Sequence, residues 1–186
     1  MTSSGNLHPN GYASSDNFPT AYPPRHPFER HWQYVDEDPP NDDTDYVEND
    51  TTDYKEDLHE CETFSLPEGM RIDNIVVYLR ATSGITTATR GYAYIAIKTG
   101  GVVHYSSVIR PANDWTTYDK TWTLNPQTGL RWTQADIDAL QIGVKGKAQN
   151  IAYPLDVSTL WFEVNYSAIP TPTGENLGDG LTFATT

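Results

Sequence analysis

The chain has 186 residues and 20.8 kDa, and its 25 acidic against 12 basic side chains give a formal net charge of −13. With 37% hydrophobic and 12% aromatic residues it can bury the core of one domain, which excludes a wholly disordered chain. No run approaches the roughly 20 apolar residues of a membrane span, a lone Cys61 excludes an internal disulfide framework or a Cys-rich zinc site, and a pI near 4.5 argues against sequence-independent nucleic-acid binding.

In chain order, residues 1–31 come first. Seven of the thirteen prolines lie at or before Pro40, interleaved with Gly, Ser and Asn, so this stretch reads as an extended arm rather than helix or central strand. The start MTSSGNLHPNGYASSDN has neither a basic nor an apolar export region, so a protein made without Sec export is expected. Phe18, Tyr22, Phe28 and Trp32 are large apolar groups that a solvated tail rarely carries, and they are the expected docking residues of the arm, with a neighbouring subunit as a candidate surface.

The acidic segment 36–62 follows. It holds 13 acids against the single base Lys55, so −12 of the −13 sits between Asp36 and Glu62. Asn41, Asp43, Asp45, the Val47 carbonyl and Asn49 fall at alternating spacing, as in the early positions of a calcium loop. Asp36, Asp38, Asp42, Asp43 and Asp45 are therefore the candidate calcium ligands. Tyr46 stands where such a loop needs Gly and Thr52 where it needs a bidentate Glu, so an EF-hand is excluded. A solvated acidic loop, or a partner's basic surface, explains the same run.

From about residue 60 short apolar runs alternate with turn residues. Strands are expected at 71–82, 92–98, 102–109, 115–124, 140–146 and 157–167, with weaker ones at 32–36, 44–48 and 60–66. In 92–98 the alternation sets Ala93, Ile95 and Ile97 on one face and Tyr92, Tyr94 and Ala96 on the other, with Gly100-Gly101 as a hairpin turn. One short helix is expected near residues 133–140, capped by Thr133 with Asp136 three residues on. The sum is an all-β antiparallel sandwich or jelly roll over residues 32–167, between the arm at 1–31 and a Pro, Gly and Thr rich tail at 168–186.

Catalytic signatures do not emerge. There is no GxSxG or Cys-His pattern and no phosphate loop, the acids of the sandwich suggest no paired spacing, and Cys61 lies between Glu60 and Glu62, which disfavours a thiolate. A non-enzyme is expected. The tryptophans 115, 122, 132 and 161, with Tyr105, Tyr118, Tyr153 and Tyr166, could form a sugar-stacking platform, although large aromatics mostly pack cores and interfaces.

Three stretches carry a resemblance: 30-RHWQYVDEDPPNDDTDYV-47, 71-RIDNIVVYLRAT-82, and 125-NPQTGLRWTQADIDALQIGVK-145 followed by 158-STLWFEVNY-166. Together they resemble a family of β-sandwich virion structural proteins encoded by tailed bacteriophages, archaeal viruses and prophages. The first pattern is matched by Trp32, Val35, Asp36, Glu37, Pro39, Pro40, Asp42, Asp43, Asp45, Tyr46 and Val47. The second is matched by Asn125, Pro126, Thr128, Gly129, Trp132, Thr133, Ala135, Asp136, Ile137, Leu140 and Gly143. The resemblance implies a capsid decoration or cement protein on the exterior of the virion. Its partners would be the major capsid protein and neighbouring copies of itself in a homo-oligomer. The alternative is a tail or fibre accessory, an adhesin with a carbohydrate-binding sandwich.

Overall fold

The structure, a computed structural model, is described over residues 1–22 and 30–170, and over residues 12–14 by backbone alone. Its strands are β1 (Thr2–Ser3), β2 (Pro9–Asp16), β3 (Thr20–Tyr22), β4 (Tyr46–Asn49), β5 (Lys55–Cys61), β6 (Met70–Ser83), β7 (Tyr92–Thr99), β8 (Val102–Tyr105), β9 (Thr116–Trp122), β10 (Gln141–Lys147) and β11 (Leu155–Ala168). They form two antiparallel sheets. One runs β3-β4-β11-β6-β9 with β1 also on β11, and the other runs β2-β5-β10-β7-β8. The expected β-sandwich is present. Among the described residues no helix is long and apolar enough to cross a membrane.

The spine is the pair β6 and β11, fourteen residues each and in register along nearly their whole length. Alternation sends Ile75, Val77, Leu79 and Ala81 inward from β6 and Leu160, Phe162 and Val164 from β11, all at 0% exposure. Across the sandwich they meet Ala93, Ile95 and Ile97 of β7 and Ile142 and Val144 of β10, so the core is the two inner faces packed together. Trp132 and Trp122 close one end, the Trp132 indole N–H donating to the Trp122 carbonyl at 2.9 Å.

The turn between β7 and β8 places Gly100 at φ 56° and Gly101 at φ 82°, the two consecutive positive values of a tight hairpin that only a glycine pair adopts freely. The short helix α1 (Gln134–Asp138) stands where it is expected. Its Thr133 side chain accepts from the Asp136 backbone N–H while the Asp136 carboxylate accepts from the Thr133 N–H.

Three elements differ from expectation. Residues 31–34 form a 3-10 turn instead of a strand at 32–36, because Gln33 folds back: its side chain accepts from the Arg30 N–H and its own N–H donates to the Arg30 carbonyl. The strand near 60 lies earlier, at Lys55–Cys61, where it pairs with β10 from Lys55↔Gly146 to Glu60↔Gln141. The strand expected at 102–109 stops at Tyr105; beyond it Ser106 still exchanges hydrogen bonds with Ile95, and Ile109 bridges to Ala93.

The N-terminal segment is no separate arm over the residues described. β2 is the edge strand of its sheet with Pro9 at its first position, where a missing N–H costs least. β1 and β3 join the other sheet. Of the expected tail, Ile169 is tied back to the sandwich, its N–H donating to the Gly69 carbonyl; residues 171–186 lie outside the described residues.

Replacing Leu160, fully buried at the centre of β11, by Ala is expected to cost about 2–5 kcal/mol from lost burial plus the cavity left behind. The urea midpoint should fall with an unchanged denaturant slope.

Candidate functional site

The outward face of the β2-to-β8 sheet is built by the same alternation that fills the core. With Ala93, Ile95 and Ile97 turned inward, Tyr92 and Tyr94 of β7 face out, and register sets Lys147 opposite Tyr92 and Lys145 opposite Tyr94. Tyr105 arrives from β8 opposite Ala96, and Tyr54 from the residue before β5. Lys145 Nζ lies 4.7 Å from the Tyr105 ring centre and 5.7 Å from that of Tyr54. Lys147 Nζ lies 5.0 Å from Tyr54 and 5.4 Å from Tyr92, and the Arg110 guanidinium sits 4.1 Å over Tyr92. Tyr54 and Tyr105 remain 43% and 40% exposed. They border an open depression of about 390 Å³ shared with Asn17, Lys55, Glu56 and Lys145. The Tyr105 hydroxyl donates to Glu56 at 2.6 Å, and burial together with that carboxylate pushes its phenol up to about 12. On a chain of net charge −13 this is a cationic and aromatic island, able to stack planar or sugar rings and to pair with anions.

A second grouping lies under the edge of the same sheet. Asp57 and His59 are two residues apart on β5 and so point to one face, inward, at 0% and 2% exposure. β2 pairs Asp16 directly with Asp57, and the 3-10 turn brings His31 over both. His31 Nδ1 is 2.6 Å from Asp57 Oδ2 and also contacts Asp16 Oδ1. The other Asp57 oxygen accepts the backbone N–H groups of Asn17 at 2.5 Å and Phe18 at 2.8 Å. Burial works against charge on His31, but hydrogen bonds and attraction from Asp16 and Asp57 outweigh it and raise its pKa to about 9. His59 is pulled the other way, to about 4, chiefly by burial.

The five candidate calcium ligands are not gathered: no three of them bring ligating oxygens within 4.8 Å of one another. Each is engaged elsewhere. Asp42 takes a two-pronged contact from Arg80, 2.7 Å on each oxygen, and a hydrogen bond from Ser158 at 3.0 Å. Asp43 accepts the Trp115 indole N–H at 2.6 Å, and Asp38 is exposed beside Asn6 and His8. Asp45 is buried at 4% exposure and shares a hydrogen bond with Glu37, while Asp36 is half-buried nearby with its carboxyl raised by burial. Asp42 and Asp43 thus hold the coil of this segment against the sandwich.

The arm residues also fall into place. Phe18 docks, but on its own chain, at 3% exposure in the core, so it offers nothing to a partner. Trp32 is half-buried on the 3-10 turn, Tyr22 is 45% exposed and stacks on Tyr46 at 5.2 Å, and Phe28 lies outside the described residues. The tryptophans do not make one platform either. Trp122 and Trp132 are core residues, while Trp161 stacks on Tyr78 at 4.8 Å on the outside of the other sheet. Sequence reasoning missed both the Tyr54–Tyr94–Lys145 face and the Asp16–His31–Asp57 group. The signal for the second is the Asp-x-His spacing at 57 and 59, which a strand turns to one side. Comparison with protein-family models and with curated proteins finds no match for the chain.

Two carboxyls are poorly placed at neutral pH. Burial, with Glu48 and Asp43 nearby, lifts Asp156 to about 7, and burial with the Asp45 hydrogen bond and charge lifts Glu37 to about 8. A folded value raised above the unfolded one favours the fold at low pH, and that contribution is lost as pH rises through about 7 to 8. Asp156→Asn and Glu37→Gln are therefore expected to unfold at higher urea than the parent at pH 8.5 and near the parent at pH 4, read by denaturation across that range.

Proposed function

We propose that the chain is a non-enzymatic virion structural protein, a capsid decoration or cement subunit that binds the major capsid protein shell and neighbouring copies of itself. The observation that carries the reading is the Tyr54, Tyr94, Tyr105 and Lys145 face. Half-exposed tyrosines with the Arg110 guanidinium over Tyr92 on the same face carry the enrichment in aromatic residues and Arg of interface centres. The resemblance adds support, because its residues do structural work in this fold: Val35 and Val47 are fully buried, Asp42 clamps Arg80, and Trp132 and Ile137 close the core. The acidic segment and the cationic face would let copies orient against one another and against a shell by complementary potential.

One observation favours a second reading, a tail or fibre accessory that binds carbohydrate. The depression between Tyr54 and Tyr105 combines ring faces with the polar groups of Asn17, Glu56 and Lys145, the mixture a sugar requires.

The two readings separate by cosedimentation of the purified chain with shells of its cognate major capsid protein, run beside a glycan array. Saturable shell binding that Tyr105→Ala combined with Lys145→Glu weakens about 10-fold or more, on the scale of a hot-spot loss, is the expected result. Glycan binding lost in the same variant, without shell binding, would replace decoration by adhesion.

A further inference from the structure

The group formed by Asp16, His31 and Asp57 asks for more than the proton that the imidazole carries. Its ligating atoms all lie within 4.8 Å of one another, and they come from three elements distant in sequence: β2, the 3-10 turn and β5. Both carboxylates address the same nitrogen, Nδ1 of His31. One N–H bond cannot point fully at two oxygens, and one positive charge leaves the two carboxylates, Asp57 fully and Asp16 partly buried, a unit short of neutral.

An independent feature lies next to it. His59 is 2% exposed, faces inward from β5 two residues after Asp57, and its Nε2 is buried with no hydrogen-bond partner. The charged groups acting on this ring are Asp57, Asp16 and His31, although its nitrogens lie outside the set gathered within 4.8 Å. A neutral imidazole with an unpartnered ring nitrogen near two carboxylates has the chemistry of a metal donor.

We propose that Asp16, His31 and Asp57 bind one zinc-class dication, with His59 Nε2 as the fourth donor. The charge balances: two carboxylates neutralise a dication and both imidazoles bind as neutral ligands, the His31 proton leaving to solvent. Two nitrogens and two oxygens suit tetrahedral zinc, whereas calcium prefers six to eight oxygens and gains little from imidazole. The Asn17 and Phe18 N–H groups on Asp57 Oδ1 fix that carboxylate and leave Oδ2 for the metal, the supporting contact that metal ligands usually have. With ligand bonds of about 2.0–2.2 Å, tetrahedral donors stand about 3.3 Å apart, so Asp16, His31 and Asp57 shift by roughly 1 Å on loading, while the His59 ring, whose nitrogens are not among the atoms gathered within 4.8 Å, turns in to complete the shell. The ion would be structural. It would tie the edge strand β2 and the turn at residues 31–34 to β5, and it differs in both place and chemistry from the calcium site expected among Asp36 to Asp45.

The test uses the untagged full chain, stripped with chelator and titrated with Zn²⁺ by calorimetry, then loaded with Co²⁺ for visible absorption. The expected results are one equivalent of Zn²⁺ bound, a higher unfolding temperature, a tetrahedral Co²⁺ spectrum, and no comparable effect of Ca²⁺. Asp16→Asn, which is partly exposed and isosteric, and His31→Gln should each lower the zinc affinity at least about 100-fold, and His59→Phe at least about 10-fold. Near-ultraviolet circular dichroism confirms that each variant is folded. Absence of stoichiometric zinc binding, or zinc binding unchanged in folded Asp16→Asn and His31→Gln, would overturn the proposal and leave a hydrogen-bonded Asp–His–Asp triad.

Discussion

A fourteen-residue strand has two edges, and only one edge of β11 is covered by its long partner β6. The other presents a row of backbone N–H and C=O groups that water or protein must satisfy. It is covered piecemeal. β4 pairs with residues 155–157, the Val35 carbonyl accepts from Leu160, Leu7 bridges to Phe162, and β1 pairs with Asn165 and Tyr166. Four separate pieces of chain, all drawn from the region that ends with β4 at Asn49, therefore lie end to end along one strand. The Pro-rich composition of that region stops mattering, since none of the pieces has to be a long strand.

This constraint also explains how the acids are used. A coil that crosses the sandwich edge between Trp32 and Tyr46 must be held there by side chains, because its backbone contributes few ladder hydrogen bonds. Asp42 reaches Arg80 on β6 and Ser158 on β11, and Asp43 reaches Trp115 just before β9. On the other sheet Asp57 plays the same part, capping the corner at Asn17 and Phe18. Local concentration of negative charge thus comes with dispersed partners. At Asp156, and at Glu37 whose hydrogen-bond partner is another acid, the carboxyl is lifted towards neutrality by burial.

The strands at 71–82, 92–98, 140–146 and 157–167 are legible because one side of each is largely apolar and the other is polar or aromatic, so a period of two survives in the sequence. β5 is misplaced for the opposite reason: its inward residues include Asp57 and His59, which no hydrophobic pattern reports. The arm is legible as extended chain carrying anchors, but nothing in its composition says whether Phe18 inserts into its own sandwich or a neighbour's; only the folded sheets decide that. The aromatic face leaves little trace because the five tryptophans, the more conspicuous rings, are split between the core and scattered positions elsewhere, while the rings of this face are tyrosines brought together from positions 54, 92, 94 and 105 by sheet register. The Asp–His–Asp group has a weaker trace still, since its three members are scattered along the chain and meet only after β2 has paired with β5.

The tiling of β11 has a temporal side. Ser4 and Val164 exchange hydrogen bonds across 160 residues, and Leu7 and Phe162 across a similar span. On a ribosome residues 4–7 therefore emerge long before residues 162–164 of the strand they complete, and they must wait until that strand has been made. Contacts of such sequence separation are slow to close, and meanwhile both sets of edges are open to other chains. A sandwich built this way pairs β1 late, so conditions that slow or crowd synthesis act on that strand while its partner edge is still missing.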